Sequence, residues 1–195
     1  MSTTTAPFPT WNDAHAATLD ASGLLLYRSN LLGSDLRITN YGGGNTSAKL
    51  VQKDLLTGQE TTVLWVKGSG GDVGSMKLDG FSTLYMDKLN ALQKLYRGPQ
   101  FEDEMVAYLP HCTFNLNPRA ASIDTPLHAY LPFAHVDHMH PDAVIAIAAM
   151  ANSEALTAQI FEGTVGWLPW RKPGFELGLM LQRYSVWAPE AQRVD

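Results

Sequence analysis

The sequence predicts a single α/β domain, and three observations support this fold class. Segments with the period of a strand alternate with segments with the period of a helix along the chain. The chain has 195 residues, 45% of them hydrophobic and 17% charged, which is enough to form one sizeable core. No repeat, linker or low-complexity tract divides it. We therefore expect one folded unit, residues 11–195, after a loose N-terminal segment at residues 1–10.

The first predicted elements follow from hydrophobic spacing and from glycines. Residues 11–33 have the composition of a helix that Gly33 ends. Residues 35–39 alternate in polarity like a short strand. Three glycines at 42–44 precede a β-prone segment, and residues 61–67 form a clear strand.

The rest of the chain continues the alternation of helices and strands. A second glycine loop at 68–74 follows the strand at 61–67, and residues 79–96 carry leucines at helical spacing. The remaining predicted elements are a helix at 101–109, a helix with Pro126 in its first turn, a strand at 134–140, helices opened by Pro141 and by Ser153, a strand at 165–170 and a helix at 173–187.

Composition excludes several classes of function. The net charge is -5 and no run of lysine and arginine occurs, so the chain is not expected to bind nucleic acid. Cys112 is the only cysteine, which rules out an internal disulfide and fits a reducing compartment. The N-terminus has no signal-peptide pattern, and the longest apolar run, at 143–151, is too short to span a bilayer. A cytoplasmic protein that binds no membrane is expected.

The segment AHVDHMHPDAV contains three of the six histidines and points most directly to chemistry. Residues i and i+2 of a strand share a face, so His138 and His140 would present two imidazoles to one ion. Zinc sites use such nitrogen ligands. His135 is out of phase with these two and is a poorer candidate. A hydrogen-bonded or solvated pair of histidines explains the spacing equally well.

The two glycine loops are candidates for anion binding. GGGNTS and KGSGG each lie beside a predicted strand, where backbone N–H groups can form an anion-binding loop. Ordinary tight turns are the alternative, and neither loop matches a Walker or dinucleotide-binding pattern. Lys67 and Arg119, which lie near them in sequence, are expected to be solvated.

The segment RAASIDTPLH contributes the third group of polar residues. Ser122 precedes a predicted helix N-terminus, where anions are favoured. Asp124 stands on the same turn, and capping the helix is its more common role. His128 is expected to make a buried structural hydrogen bond.

Four motifs in this order, GGGNTSAKL, WVKGSGGDVG, SIDTPLHA and HVDHMHPDAV, resemble the class II aldolase/adducin family. The match is closest to the aldolase domain of bifunctional rhamnulose-1-phosphate aldolase/lactaldehyde dehydrogenases. It covers the chain from Trp11 to its end. The resemblance implies a three-layer αβα domain with a central, largely antiparallel sheet flanked by helices, often assembled as a homotetramer.

The resemblance also implies roles for individual residues. His138 and His140 fall on the family's paired ligands for one Zn²⁺ per subunit. Asp124 falls on the general acid/base, usually a glutamate, which is one methylene longer. The positions that hold the substrate phosphate are Gly44, Asn45, Ser69, Gly70 and Ser122.

The activity implied is the zinc-dependent cleavage of a ketose 1-phosphate. For rhamnulose-1-phosphate the products are dihydroxyacetone phosphate and lactaldehyde, and a short-chain dehydrogenase domain is expected C-terminal to the aldolase domain. The family's third histidine ligand lies in an HG motif on the strand after the last helix, so a truncation is expected and residues 1–195 alone are expected to be inactive. A sugar-phosphate epimerase or dehydratase, a non-enzymatic adducin-like module and an inactive remnant are the alternatives.

Overall fold

The computed structural model describes residues 9–40, 42–116 and 119–187. Most of the predicted loose segment, residues 1–8, lies outside the described part, as do residues 188–195. The described chain forms an α/β arrangement in which helices flank one antiparallel sheet, as the sequence predicts. No helix in these ranges is long and apolar enough to cross a bilayer.

Four strands form the sheet, and each neighbouring pair is antiparallel. In chain order they are β1 (Asn45–Lys53), β2 (Glu60–Lys67), β3 (Phe81–Tyr85) and β4 (His135–His138). Their spatial order is β3-β2-β1-β4, so β1 lies between β2 and β4. Because β1 is antiparallel to both neighbours, its first residue lies at the same end of the sheet as the last residues of β2 and β4.

The helices occupy both faces of this sheet. They are α1 (Asp13–Ala16), α2 (Ala21–Gly33), α3 (Met86–Leu92), α4 (Glu102–Tyr108), α5 (Thr125–Tyr130), α6 (Asp142–Ala148), α7 (Ser153–Phe161) and α8 (Phe175–Trp187). Leu64 and Leu84 pack in one core cluster with residues of α3, α4, α5 and α8. Ala48 and Phe81 pack with Leu25 of α2 in another. Successive strand residues point to opposite faces, so the two clusters make three layers.

Several predicted elements are confirmed and one is divided. Gly33 ends α2 as expected, but the predicted helix at 11–33 is interrupted between α1 and α2. Asp20 causes the break, because its carboxylate accepts a hydrogen bond of 2.7 Å from the backbone N–H of Gly23 and begins a new helix there. The glycine loop at 68–74 and the helix starts at Pro141 and Ser153 agree with the prediction.

Three predicted elements are wrong. Residues 35–39 form a turn, in which the Asp35 carboxylate accepts hydrogen bonds from the backbone and guanidinium of Arg37. Residues 81–85, predicted as helix, form β3, since burial of Phe81–Leu84 on both sides removes the alternation that marks a strand. Residues 165–170 form no strand, and Trp170 is 82% exposed there.

The β1–β2 hairpin extends away from the end of the sheet where β1 starts. Its turn is organised by Asp54, whose Oδ1 accepts hydrogen bonds of 2.8 Å from the backbone N–H groups of Leu56 and Thr57. Tyr85 donates its hydroxyl proton to Oδ2 of the same carboxylate. Leu55 and Leu56 at the tip are 91% and 96% exposed.

A contact between two glycines fixes the second glycine loop against α2. A β-carbon on Gly33 would overlap the backbone N of Gly74, and one on Gly74 would lie 2.6 Å from the carbonyl oxygen of Gly33. Only glycine allows this approach at either position. The end of α2 therefore sets the position of the loop that follows β2.

Candidate active site

Two histidines meet at the end of β4, and we call them the histidine pair. His138 is the last residue of β4, and His140 follows just beyond the strand. Their Nε2 atoms lie 3.0 Å apart, and the ring centroids are 4.7 Å apart. Both residues are half-buried. The i, i+2 spacing thus brings two imidazole nitrogens to one point.

The third histidine of the segment does not join the pair. His135 is exposed at the start of β4. Partial burial and the nearby Arg28 guanidinium lower the pKa of His135, while Asp137 opposes them. Arg28 itself lies 3.1 Å from the carboxylate of Asp137. This arrangement agrees with the expectation that His135 is out of phase with the pair.

The first glycine loop lies directly against the histidine pair. A β-carbon on Gly43 would lie 2.7 Å from Nδ1 of His140, and one on Gly44 would lie 2.8 Å from the carbonyl oxygen of His138. Gly44 also has a φ of 81°. These two glycines are needed for the close packing of the pair, which sequence reasoning missed because the contact joins segments far apart in the chain.

Asp124 lies on the opposite side of His138 from His140. Its Oδ2 atom is 3.9 Å from Nδ1 of His138 and accepts a hydrogen bond of 3.3 Å from Oγ of Ser122. Asp124 precedes α5, but its side chain makes no capping hydrogen bond to the helix. The capping role that sequence favoured is therefore wrong, and the carboxylate is turned toward the histidine pair.

Burial sets the charge of His138. It lowers the pKa of this imidazole, and His140 lowers it further, whereas the Asp124 carboxylate raises it. The Nδ1 atom of His138 is buried and has no hydrogen-bond partner among the described residues. His138 is thus neutral near pH 7, the form in which histidine binds a metal.

His128 is a buried structural residue of α5 that contacts β1 next to the site. It is fully buried, and its Nδ1 lies 2.8 Å from Oγ of Ser47 on β1. Burial lowers the pKa of His128 to about 3, so this imidazole remains neutral. The expectation of a buried structural hydrogen bond is confirmed.

The donor set of the pair fits a zinc ion. Two nitrogens each bound to zinc at about 2.0–2.1 Å with tetrahedral angles would lie roughly 3.3 Å apart. The observed Nε2–Nε2 distance of 3.0 Å needs only a small adjustment. In metal-bound histidines the other ring nitrogen usually donates to a carboxylate or carbonyl, and Nδ1 of His138 has Asp124 on that side. Within the described ranges, no group of three His, Cys, Asp or Glu side chains could hold a metal ion.

The predicted phosphate-binding residues lie around the same end of the sheet. Asn45 begins β1, and its Nδ2 donates a hydrogen bond of 3.0 Å to the carbonyl of Lys67 at the end of β2. The N–H of Ser69 donates to the carbonyl of Ala120 at 2.9 Å, which ties the second glycine loop to the segment that leads to Ser122. The two glycine loops therefore meet, although the Asn45 amide and the Ser69 N–H are engaged within the protein.

The remaining predicted phosphate residues differ in exposure. Gly70 is exposed and has a φ of 73°. Ser122 is buried, and its hydroxyl oxygen also accepts a hydrogen bond of 3.2 Å from the N–H of Asp124. Ser122 thus holds Asp124 in place in addition to any contact with a ligand.

Lys67 is buried, contrary to the expectation that it is solvated. The residue is 3% exposed. Its Nζ lies under the second glycine loop, where it donates to the carbonyls of Gly68 at 3.4 Å and Gly70 at 3.2 Å. A lysine that ends a strand just before a glycine loop was the only sequence signal of this arrangement.

Comparisons with known proteins agree with the fold and show the family. The family model described as "Class II Aldolase and Adducin N-terminal domain" matches residues 25–187. A Bacillus subtilis (strain 168) protein named "Uncharacterized oxidoreductase YuxG" is 43% identical over 186 residues. The match takes in 94% of this chain and 26% of that protein, so the chain spans about a quarter of the length of this curated relative.

A solved structure gives the same fold. It is described as the "Structure of the N-terminal Class II Aldolase domain of a conserved protein from Thermoplasma acidophilum". The TM-score is 0.76 and the sequences are 33% identical. The alignment covers 94% of this chain and 80% of the solved one.

Proposed function

This chain belongs to the class II aldolase and adducin N-terminal domain family, and we propose that it carries out metal-dependent aldol cleavage of a phosphorylated ketose. The observation that carries the proposal is the histidine pair, whose Nε2 atoms converge at 3.0 Å beside the first glycine loop. A non-enzymatic adducin-like module has no need for such a pair. Rhamnulose-1-phosphate is the proposed substrate, with dihydroxyacetone phosphate and lactaldehyde as products.

The histidine pair would hold one Zn²⁺ per subunit. A zinc ion in such a site acts as a Lewis acid toward carbonyl and hydroxyl oxygens and stabilises the negative charge that develops as a C–C bond breaks. His138 contributes a neutral imidazole because burial lowers its pKa. Gly43 allows the ring of His140 to lie against the first glycine loop, and Gly44 allows the backbone carbonyl of His138 to do so.

Asp124 is the proposed general acid/base. Its carboxylate is held by the hydroxyl of Ser122 and remains 16% exposed, so a substrate proton can reach it. Its position 3.9 Å from Nδ1 of His138 also suits a carboxylate that orients a metal ligand. Asp124→Asn distinguishes the two roles. An acid/base predicts a lower kcat with unchanged zinc affinity, whereas an orienting carboxylate predicts a lower zinc affinity.

Substrate phosphate is proposed to bind among Gly44, Asn45, Ser69, Gly70 and Ser122. These residues come from three separate segments that meet at one end of the sheet. A fixed phosphate orients the reacting carbons, so binding energy remote from the bond that breaks contributes to catalysis.

The test, made on the longer protein in which this chain is proposed to lie, is an assay of rhamnulose-1-phosphate cleavage with enzymatic detection of dihydroxyacetone phosphate in the presence of zinc. His138→Ala and His140→Ala are expected to lower zinc affinity by more than about 100-fold and to abolish cleavage. His135→Ala is the matched control, since it removes an exposed imidazole from the same strand. Analysis of the products separates cleavage from epimerisation and dehydration. Equal zinc affinity in all three variants would contradict the proposal.

The size of the active unit is also a proposal. We propose a cytoplasmic homo-oligomer, such as a tetramer, within a longer protein that carries a short-chain dehydrogenase domain after this one. The name of the Bacillus subtilis relative, an oxidoreductase of which this chain matches 26%, is compatible with such an arrangement. The oligomer is tested by light scattering, and the second domain by the coding sequence and by NAD-dependent oxidation of lactaldehyde.

A further inference from the structure

Lys67 is a buried cation that the proposed aldol reaction does not use. Its residue exposure is 3%, and among the described residues no carboxylate lies within ion-pair distance of its Nζ. Burial lowers the pKa of Lys67, and the carboxylates of Asp72 and Asp124, which lie beyond that distance, oppose this without preventing it. Burying an ammonium group without an anionic partner is strongly unfavourable. Such a group is retained where a ligand supplies the missing negative charge, or where it has a structural role.

The hydrogen bonds of Lys67 leave part of its donor capacity open. An ammonium group has three N–H donors. Two of them are directed to the carbonyls of Gly68 and Gly70. A third donor remains for an acceptor that the described protein atoms do not provide.

Lys67 lines a cleft that has room for a small anion. The cleft has a volume of about 250 Å³. Basic residues in its lining outnumber acidic ones by three to two, and these charged residues are Lys67, Lys77, Arg119, Asp72 and Asp79. Gly70 and Gly71 also line it with positive φ values, where a β-carbon would meet nothing within 4 Å. The cleft wall is therefore partly bare backbone, beside a buried cation.

The cleft lies on the other face of the sheet from the histidine pair. Val66 is paired with Ser47, and Ser47 contacts His128 of α5, so both side chains point to the face of the sheet that α5 covers. Successive strand residues point to opposite faces, so Lys67 points to the face that α2 covers. Met76 is consistent with this, since it lines the cleft and packs on the α2 core cluster. Among the five residues proposed to bind substrate phosphate, only Gly70 lines the cleft.

We propose that this cleft is a binding site for a phosphate group, with Lys67 as its buried cationic donor. The phosphate receives the open N–H donor of Lys67 and balances its charge. The phosphate group belongs to a ligand separate from the ketose substrate, whose own phosphate is proposed to bind on the other side of the sheet end. The recognition chemistry is that of a small dianion.

The test measures the binding of inorganic phosphate by calorimetry after treatment with a chelator, so that neither metal nor turnover is involved. Lys67→Met, which keeps the buried stem, is expected to weaken phosphate binding at least tenfold. Lys49→Met is the matched control, because Lys49 is a second partly buried lysine whose Nζ donates to the carbonyl of Leu131. It is expected to leave phosphate affinity unchanged.

Thermal unfolding separates ligand binding from a structural role. If Lys67 serves a ligand, Lys67→Met without phosphate is at least as stable as the wild type, and phosphate no longer raises its Tm. A variant that fails to fold, or that has a lower Tm but keeps the stabilisation by phosphate, overturns the proposal in favour of a structural lysine.

Kinetics then identify the source of the phosphate group and keep this proposal separate from the aldolase assignment. If inorganic phosphate does not compete with the ketose phosphate and Lys67→Met leaves KM unchanged, the cleft holds a separate ligand, as proposed. Competition together with a raised KM in Lys67→Met would overturn the separate site and assign the cleft to the substrate's own phosphate. Lys67-dependent phosphate binding without any aldol cleavage would refute the proposed function and support the cleft. Aldol cleavage without Lys67-dependent phosphate binding would support the proposed function and refute the phosphate site in the cleft.

Discussion

Gly43→Ala tests the link between the first glycine loop and the histidine pair. The added β-carbon would lie 2.7 Å from Nδ1 of His140 and 2.5 Å from Oδ1 of Asn40. The φ of Gly43 lies outside the positive region, so alanine is allowed by the backbone and only the contact matters. The substitution therefore displaces the side chains of His140 and Asn40 and does not strain the backbone at residue 43.

The expected size of the effect follows from the displacement. Ordinary van der Waals contact begins at 3.4 Å, so His140 must move by about 0.7 Å from its 2.7 Å position. Metal–ligand distances tolerate only about 0.2 Å. Disturbing the groups that hold metal ligands typically costs 10–100-fold in metal affinity. We expect a loss of about 10–100-fold in zinc affinity, with aldol cleavage falling at least as much at limiting zinc.

The assay is competition for zinc against a chromophoric chelator, with urea unfolding in parallel. Gly42→Ala is the matched control, since a β-carbon there meets nothing within 4 Å but the φ is 74°. It is expected to cost about 1–2 kcal/mol of stability through backbone strain and to leave zinc affinity intact. If folded Gly43→Ala binds zinc as tightly as the wild type, the idea that the loop holds the pair in place is refuted.

Three further predictions concern the loop, the hairpin and the ligand count. Gly33→Ala is expected to lower the free energy of unfolding by about 1–3 kcal/mol in urea titrations, because its β-carbon overlaps the backbone of Gly74; an unchanged midpoint would contradict the contact. The hydroxyl of Tyr85, followed by the backbone N–H groups of Thr57 and Leu56, lowers the pKa of Asp54 to about 2. This carboxylate therefore stabilises the fold above its unfolded pKa of about 3.9 and loses that effect as pH falls toward 2. Tyr85→Phe should therefore move the acid-unfolding midpoint to higher pH, and an unshifted midpoint would count against this. A protein of residues 1–195 is expected to bind zinc weakly and to cleave little substrate, because the histidine pair supplies two of the usual three ligands; full activity would show that no third histidine is needed.

The sequence predicts the strands that have a local β-prone pattern. It does not predict a strand that is recognisable only from its pairing with other strands. β2 is recognisable because residues 61–67 are β-prone and flanked by glycines. β3 is not, because four consecutive residues are buried and α3 begins at Met86 with no loop between them. Residues 35–39 and 165–170 have the local composition of strands. Hydrogen bonds between the side chains of Asp35 and Arg37 hold the first segment in a turn, and the second forms no strand.

The candidate site shows the same division between local and distant information. The spacing of His138 and His140 predicts their convergence, because a strand end fixes it locally. The packing of Gly43 against His140 and the burial of Lys67 could not be predicted, since both depend on segments joined only by the pairing of β1 with its neighbours. Asp124 is ambiguous in sequence for the same reason, because its partner lies on another element.

The β1–β2 hairpin is a place where probes can be attached far from the histidine pair. A strand rises about 3.3 Å per residue, so the tip at Leu55 and Leu56 lies roughly 30 Å along β1 from Asn45. Both leucines are almost fully exposed, and the turn below them is held by Asp54 rather than by their side chains. A fluorophore, an affinity tag or a surface linkage placed there would lie at the end of the sheet opposite the histidine pair and would leave the proposed active site uncovered.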